Sequence, residues 1–346
     1  MYIKFVIVQN RNIYVVYWLL LITALVGLMI IIGGLTRLTD SGLSITRWDL
    51  FKGILPPLND KDWQEAFLLY KEIPEFKLQN YLMTLDQFKV IYFWEYIHRL
   101  LGRVIGMFYI IPLFYFTYKK ILNARLLKSF YFIFLLILIQ GIIGWYMVKS
   151  GLTERTDVSH YRLALHLTLA FIIFILLIWN YFKYSLKQFN KNKNKIPYFL
   201  PNIFLVLIIV QISIGALVSG LDAGKIYNTW PLMNENYFPD DTDFNILFSL
   251  NAFDNPSILQ FIHRNIAYFI FSFFLIIYFI VYKNNYFNYF KNILYFVLFA
   301  LIIQIVLGIF TVMYGAQIII ASMHQIGSII LVAATVFLIF KNSEIN

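Results

Sequence analysis

No cysteine occurs anywhere in the 346 residues. That removes disulfides, zinc ribbons, thiolate haem ligands and iron–sulfur clusters in one step. Charge is scarce as well. Only 13% of residues are Asp, Glu, Lys or Arg, about half the usual share of a soluble domain. Apolar residues make up 60% and aromatics 19%. This composition excludes a disordered chain, which needs low hydrophobicity and high charge, and argues against an ordinary soluble enzyme. Histidine is rare, with five copies, so the positions of the five carry information.

Long apolar runs are what the sequence does contain. A membrane-spanning helix takes about 20 mostly apolar residues. Eight segments qualify, at 13–36, 89–117, 128–148, 161–182, 197–219, 257–282, 292–314 and 316–340. No short apolar run followed by small residues marks a cleavable leader, so the first span is expected to stay. Lys4 and Arg11 alone are too few for an organellar transit peptide. The expected fold is an all-α polytopic membrane protein with eight transmembrane helices.

The net charge of +10 would suggest nucleic acid in a soluble protein. Its placement says otherwise. The connections between spans two and three (Lys119, Lys120, Arg125, Lys128) and between spans four and five (Lys183, Lys187, Lys191, Lys193, Lys195) hold no acid. The segment 220–256 has six acids against Lys225 alone, and 37–88 has eight acids against six bases. The positive-inside rule therefore puts both termini and the short basic loops in the cytoplasm and the two long loops outside. Nucleic acid is excluded as a partner on this reading.

The chain also repeats itself. Asp40-Ser-Gly42 with Trp48 is echoed by Asp222-Ala-Gly224 with Trp230. His98-Arg99 is echoed by His263-Arg264, Gln140 and Gly144 by Gln304 and Gly308, and His166 by His324. Four echoes in one order imply duplication. The expected organisation is two pseudo-symmetric four-helix bundles: 1–183, carrying the long loop 37–88, and 197–346, joined by a basic linker at 184–196.

Four histidines, His98, His166, His263 and His324, fall on the even-numbered spans, roughly six to nine residues in from the outer end. At the helical rise that is about 9–14 Å deep. Two imidazoles per half at matched depth suit a pair of ligands to iron, since helical bundles build cofactor sites from facing side chains. Interhelical hydrogen bonds or a proton relay are the alternatives. Zinc fits less well, because it usually takes three or four close ligands. His160 has no counterpart in the repeat and reads as interfacial.

The halves differ in one ionisable group. Glu95 lies one turn before His98 and can pair with Arg99; its counterpart is Gln260. A charge inside a membrane is costly and usually marks function, although a structural Glu95–Arg99 ion pair competes with that reading. The expectation is a reacting molecule in the first half and a permanent redox cofactor in the second. Arg99, Arg264 and Arg162 could meet haem propionates or snorkel to the headgroups. Within 37–88, Trp63–Tyr70 has the pattern of an amphipathic helix, as part of a lid or of a packing cap.

The residues also resemble a known family. Gly34–Trp48 (GLTRLTDSGLSITRW), Leu55–Leu58 (LPPL), Trp63, Tyr70, Ile73–Phe76 (IPEF), Met83 and Glu95–Arg103 (EYIHRLLGR) closely resemble the haem A synthases, over nearly the whole chain. The likeness is to the cysteine-free subfamily shared by mitochondria and alphaproteobacteria. It implies oxidation of the C8 methyl group of haem O to a formyl group, giving haem A for terminal oxidases. On matched positions it implies haem b held by His263 and His324, haem O received by His98 and His166, and Glu95 as the catalytic glutamate. It further implies a bacterial inner membrane, haem sites towards the periplasm, and as partners haem O synthase, an electron-accepting or -donating protein and further copies of the chain. Some bacterial members carry a cysteine pair in the first long loop, which this chain lacks. Two other classes remain open from the residues alone: a b-type electron carrier and a proton-coupled transporter.

Overall fold

The structure is a computed structural model that describes residues 12–48, 52–153, 155–186 and 195–343. Ten α-helices appear among them: α1 (Ile13–Leu38), α2 (Asp60–Lys71), α3 (Pro74–Leu78), α4 (Leu85–Tyr118), α5 (Ala124–Gly151), α6 (His160–Ser185), α7 (Phe199–Gly220), α8 (Pro256–Lys283), α9 (Lys291–Met313) and α10 (Ile318–Ser343). Eight of them, all but α2 and α3, are long and apolar enough to cross a membrane. They match the eight expected spans to within a few residues. No strand forms among the described residues.

Local chemistry sets the helix ends. Thr84 caps α4 in a reciprocal capping box with Gln87, which satisfies two otherwise orphaned donors. That is why α4 starts four residues before its apolar run. Asn123 caps α5 through the amide of Leu126. Asn255 caps α8 through Ile258, with Pro256 in the first turn, where its missing N–H costs nothing. Most of the basic linker, residues 187–194, lies outside the described residues.

Backbone contacts group the chain into two compact units, Ala24–Ala170 and Met1–Thr23 with Phe171–Asn346. In the first, Tyr109 of α4 is fully buried and donates to the carbonyl of Phe130 on α5 at 2.8 Å. The α2 helix presents Trp63, Phe67 and Tyr70 to the start of α4, as its amphipathic pattern predicts. These rings close a core with Leu43, Ile73, Phe88 and Ile91, with Phe67 and Tyr70 about 5 Å from the Phe88 ring. Burying each such side chain is worth about 1.5–3 kcal/mol, enough to hold the loop segment 60–78 on the helical unit.

In the second unit α7, α8, α9 and α10 form a closed ring of neighbours. Phe204 of α7 packs on Phe274 of α8 at 4.9 Å. Asn342 near the end of α10 both donates to and accepts from the backbone of Ile196. That buried exchange ties the entry of α7 to the exit of α10. Trp179 and Phe182 of α6 pack against Phe340 in the same unit.

Candidate functional site: paired histidines in each half of the repeat

The His98 ring on α4 and the His166 ring on α6 face each other with centres 6.4 Å apart, inclined at 68°. Two metal–imidazole bonds of about 2 Å, with the ring centres about 1 Å further out, place such centres roughly 6 Å apart across one iron. Each of the four histidines inside the helices stays only half-buried. The Nδ1 atoms of His166 and His263 are nevertheless buried with no hydrogen-bond partner, a costly condition that a ligand would relieve. Among the described residues no group of three or more His, Asp or Glu is placed to hold a metal ion. His98 and His166 would be the residues to hold a haem iron in the first half, which would supply redox chemistry there.

Every one of these imidazoles rests against a glycine of a neighbouring helix. A β-carbon built at Gly33 of α1 would lie 3.2 Å from His98 Nε2. At Gly144 of α5 it would lie 3.0 Å from His166, at Gly215 of α7 3.1 Å from His263, and at Gly308 of α9 2.9 Å from His324. Each glycine leaves the ring the room that a side chain would take. Gly33 and Gly215 hold the same place in the repeat, as do Gly144 and Gly308. A lone helical glycine gives no signal in a sequence, so two of these four positions, Gly33 and Gly215, escaped the reading above.

Four residues before three of these glycines stands a glutamine. Gln140 donates to the His166 carbonyl at 3.0 Å. Gln211 donates to the His263 carbonyl at 2.9 Å and lies 3.4 Å from its Nε2. The Gln304 amide lies 3.2 Å from His324 Nδ1, and the Gln304 carbonyl is 3.1 Å from the same atom. Gln211 and Gly215 repeat the spacing already evident at 140–144 and 304–308, a signal that was available and missed.

Glu95, 2% exposed, is fully engaged. Its Oε2 accepts from the Ser44 hydroxyl and the Ile45 amide, both at 2.7 Å. Its Oε1 accepts from Arg99 Nε at 2.9 Å and from Nη2. Arg99 continues to the carbonyls of Ile45 and Arg47 and lies over the Trp48 ring at 4.9 Å. The ion pair weighed from the sequence is thus present, and it also closes the 41–48 loop over α4. Gln260 and Arg264 do the corresponding work on α8, donating to the carbonyls of Tyr227, Thr229 and Leu232. Both loops start from a left-handed aspartate at the same repeat position, Asp40 at φ 48° and Asp222 at φ 51°, a conformation that Asp tolerates better than most residues. Arg162 donates to the Tyr146 carbonyl and stacks on its ring. His160 is buried at the first residue of α6, against Tyr161.

The family model described as cytochrome oxidase assembly protein, COX15-CtaA, matches residues 16–336. The chain belongs to this family. A haem A synthase of Pelagibacter ubique is 48% identical over 342 residues, which is 98% of this chain and 100% of the relative. A haem A synthase of Rickettsia bellii is 45% identical over 94% of this chain and 98% of the relative. One of Rickettsia felis is 42% identical over 93% and 96%. These relatives bear out the resemblance read from the motifs, and they favour neither the electron-carrier nor the transporter alternative.

One further group in this COX15-CtaA chain went unnoticed in the sequence. Glu75 of α3 is 3% exposed, and its Oε2 has no partner. Asn80 reaches both its Oε1, at 3.5 Å, and the Tyr70 hydroxyl, at 2.8 Å. Burial, then the carboxylates of Asp157, Glu95 and Asp40, push the Glu75 carboxyl up to about 8. Burial, with Glu75 next, also raises Tyr70.

Proposed function

We propose that this chain is a haem A synthase of a bacterial inner membrane, oxidising the C8 methyl group of haem O to a formyl group. The observation that carries the reading is the facing His98–His166 pair with a buried carboxylate, Glu95, one turn from His98, in a chain whose relatives bear that name. Formally, a methyl group and a water become a formyl group with release of four protons and four electrons. Such a reaction needs a fixed substrate, a proton acceptor and an electron route.

In this reading the first half of the repeat, 1–183, takes haem O between His98 and His166, and the second, 197–346, holds haem b between His263 and His324. The resident haem supplies one-electron transfer when bound. The chain's own share is positioning and electrostatics. The glycines at 33 and 144 admit the imidazoles, and the loop 41–48 held by Glu95 and Arg99 covers the approach. Glu95 moves protons during the successive oxidations of the methyl group. It does so as a carboxylate set up by Arg99, Ser44 and the Ile45 amide. Arg99, Arg162 and Arg264 border the same sites, where propionates would find guanidinium partners. Both termini lie in the cytoplasm and the haem sites towards the periplasm, following the charge of the loops. Haem O synthase, an electron partner and further copies of the chain are the proposed associates.

Expression in a host that makes haem O but no haem A tests the reading directly. Extracted haem should then contain haem A. A host that still yields only haem O and haem b, with the protein folded in the membrane, refutes it.

A further inference from the structure

Two carboxyl groups are buried among the described residues, Glu95 and Glu75. Both belong to the compact unit Ala24–Ala170, and the other unit buries no acid among its described residues. The reaction proposed above uses Glu95 and gives Glu75 no part. The two flank one core. Ile91, one turn before Glu95, and Ile73, two residues before Glu75, both lie in it, with Tyr70 and with Leu43 of the loop that Glu95 holds. Asn80 Nδ2 lies 2.8 Å from the Tyr70 hydroxyl and 3.5 Å from Glu75 Oε1, and Oε2 has no partner. The ionisable groups facing Glu75 are Tyr70 of α2, Glu95 of α4, Asp40 just after α1 and Asp157 just before α6. Burial falls along the carboxyls of this set. Glu95 and Glu75 are 2% and 3% exposed, and Asp157 is half-buried. The Asp40 side chain is 54% exposed and pairs with Arg37.

Four protons are released for each formyl group formed, and one buried carboxylate holds one at a time. Glu95 must therefore hand each proton on before it takes the next. A second carboxyl between it and the surface serves best when both its states are populated near neutral pH. Glu75 meets that condition, since burial and the neighbouring carboxylates raise it to about 8. Chains of acids carry protons in this way through other membrane proteins. We propose that Glu75 is the second carboxyl of a proton exit, taking each proton from Glu95 and passing it to Asp157 and Asp40 at the exposed side. This rests on the reading of Glu95 as the group that moves protons in haem O oxidation. Each step breaks an O–H bond on one carboxyl and forms one on the next through hydrogen-bonded water. The proton moves without electrons, and nothing is oxidised or reduced.

The test is the rate of haem A formation against pH, per molecule of folded protein, in membranes of a host that makes haem O. Wild type should speed up about tenfold from about pH 7 to about pH 9, because only the Glu75 carboxylate accepts a proton. Glu75→Gln should lose that limb and turn over about tenfold more slowly at its upper end, and Glu75→Asp should restore the limb. Asp157→Asn removes a neighbouring negative charge, so it should move the midpoint to lower pH; it decides alone if neither Glu75 variant folds. In the infrared, a carboxylic C=O band that titrates with the same midpoint should be present in wild type and absent from Glu75→Gln. Structural damage lowers the rate at every pH and moves no midpoint. A limb that survives Glu75→Gln, or a midpoint unmoved by Asp157→Asn, overturns the inference and leaves the synthase reading standing. Absence of haem A from wild type at every pH overturns the synthase reading and the exit with it.

Discussion

The two halves of this chain differ less in what they contain than in what holds it. Each has two imidazoles, two facing glycines, an arginine one residue after the first histidine and a loop closed onto the helix by that arginine. In the second half the loop is held by neutral Gln260, which donates to a carbonyl. In the first half Glu95 accepts from the loop and pairs with Arg99. At matching positions of the repeat one half thus has a donor and the other an acceptor that can carry charge. The lesson is that an internal repeat supplies its own control: whatever both halves share is scaffold for binding, and whatever one half alone has is a candidate for chemistry.

The comparison can be broken most sharply at Glu95. Glu95→Gln should lower turnover at least a hundredfold while the haem b content of the purified protein stays at the wild-type level. Full turnover would return Glu95 to a purely structural part. Substitution by alanine is less clean, because it leaves Arg99 buried and unpaired at a cost of about 3–5 kcal/mol.

A smaller effect is expected at the glycine seats. Gly308→Ala places a methyl group 2.9 Å from the His324 ring, an overpacking worth about 1–3 kcal/mol. Bound haem b should fall by half or more. Gly141→Ala on α5 meets nothing within 4 Å and should leave haem content unchanged. Equal behaviour of the two variants would remove the cradle from the account.

The smallest effect is a slope. Glu75 is raised from the usual 4.5 to about 8, so the fold favours its protonated form. Its contribution to stability is complete below about pH 4.5 and is lost as pH rises through 8. Relative to Glu75→Gln, the wild-type Tm in detergent should therefore fall across that window. Parallel profiles would show that Glu75 titrates normally.

Much of this was legible in the sequence, for physical reasons. Twenty-residue apolar runs are read by length, so all eight spans were found. Their ends were less clear, because a cap such as Thr84 with Gln87 extends α4 beyond its apolar stretch. The histidines stood out because polar residues inside apolar helices are rare. Their glycine seats at 33 and 215 did not, since a close approach between helices is a property of two segments. The partners of Glu95 at Ser44 and Ile45 were hidden for the same reason, being about 50 residues away. Arg99, one helical turn away, was not hidden.

We propose that the second half keeps a haem and the first half turns one over. The most direct measurement is haem b stoichiometry in protein purified from a host that makes no haem O, compared across His98→Ala, His166→Ala, His263→Ala and His324→Ala. The account predicts that the first two retain a low-spin, six-coordinate haem b and that the last two lose it. Retention in both His263→Ala and His324→Ala, with loss in His98→Ala or His166→Ala, would contradict it.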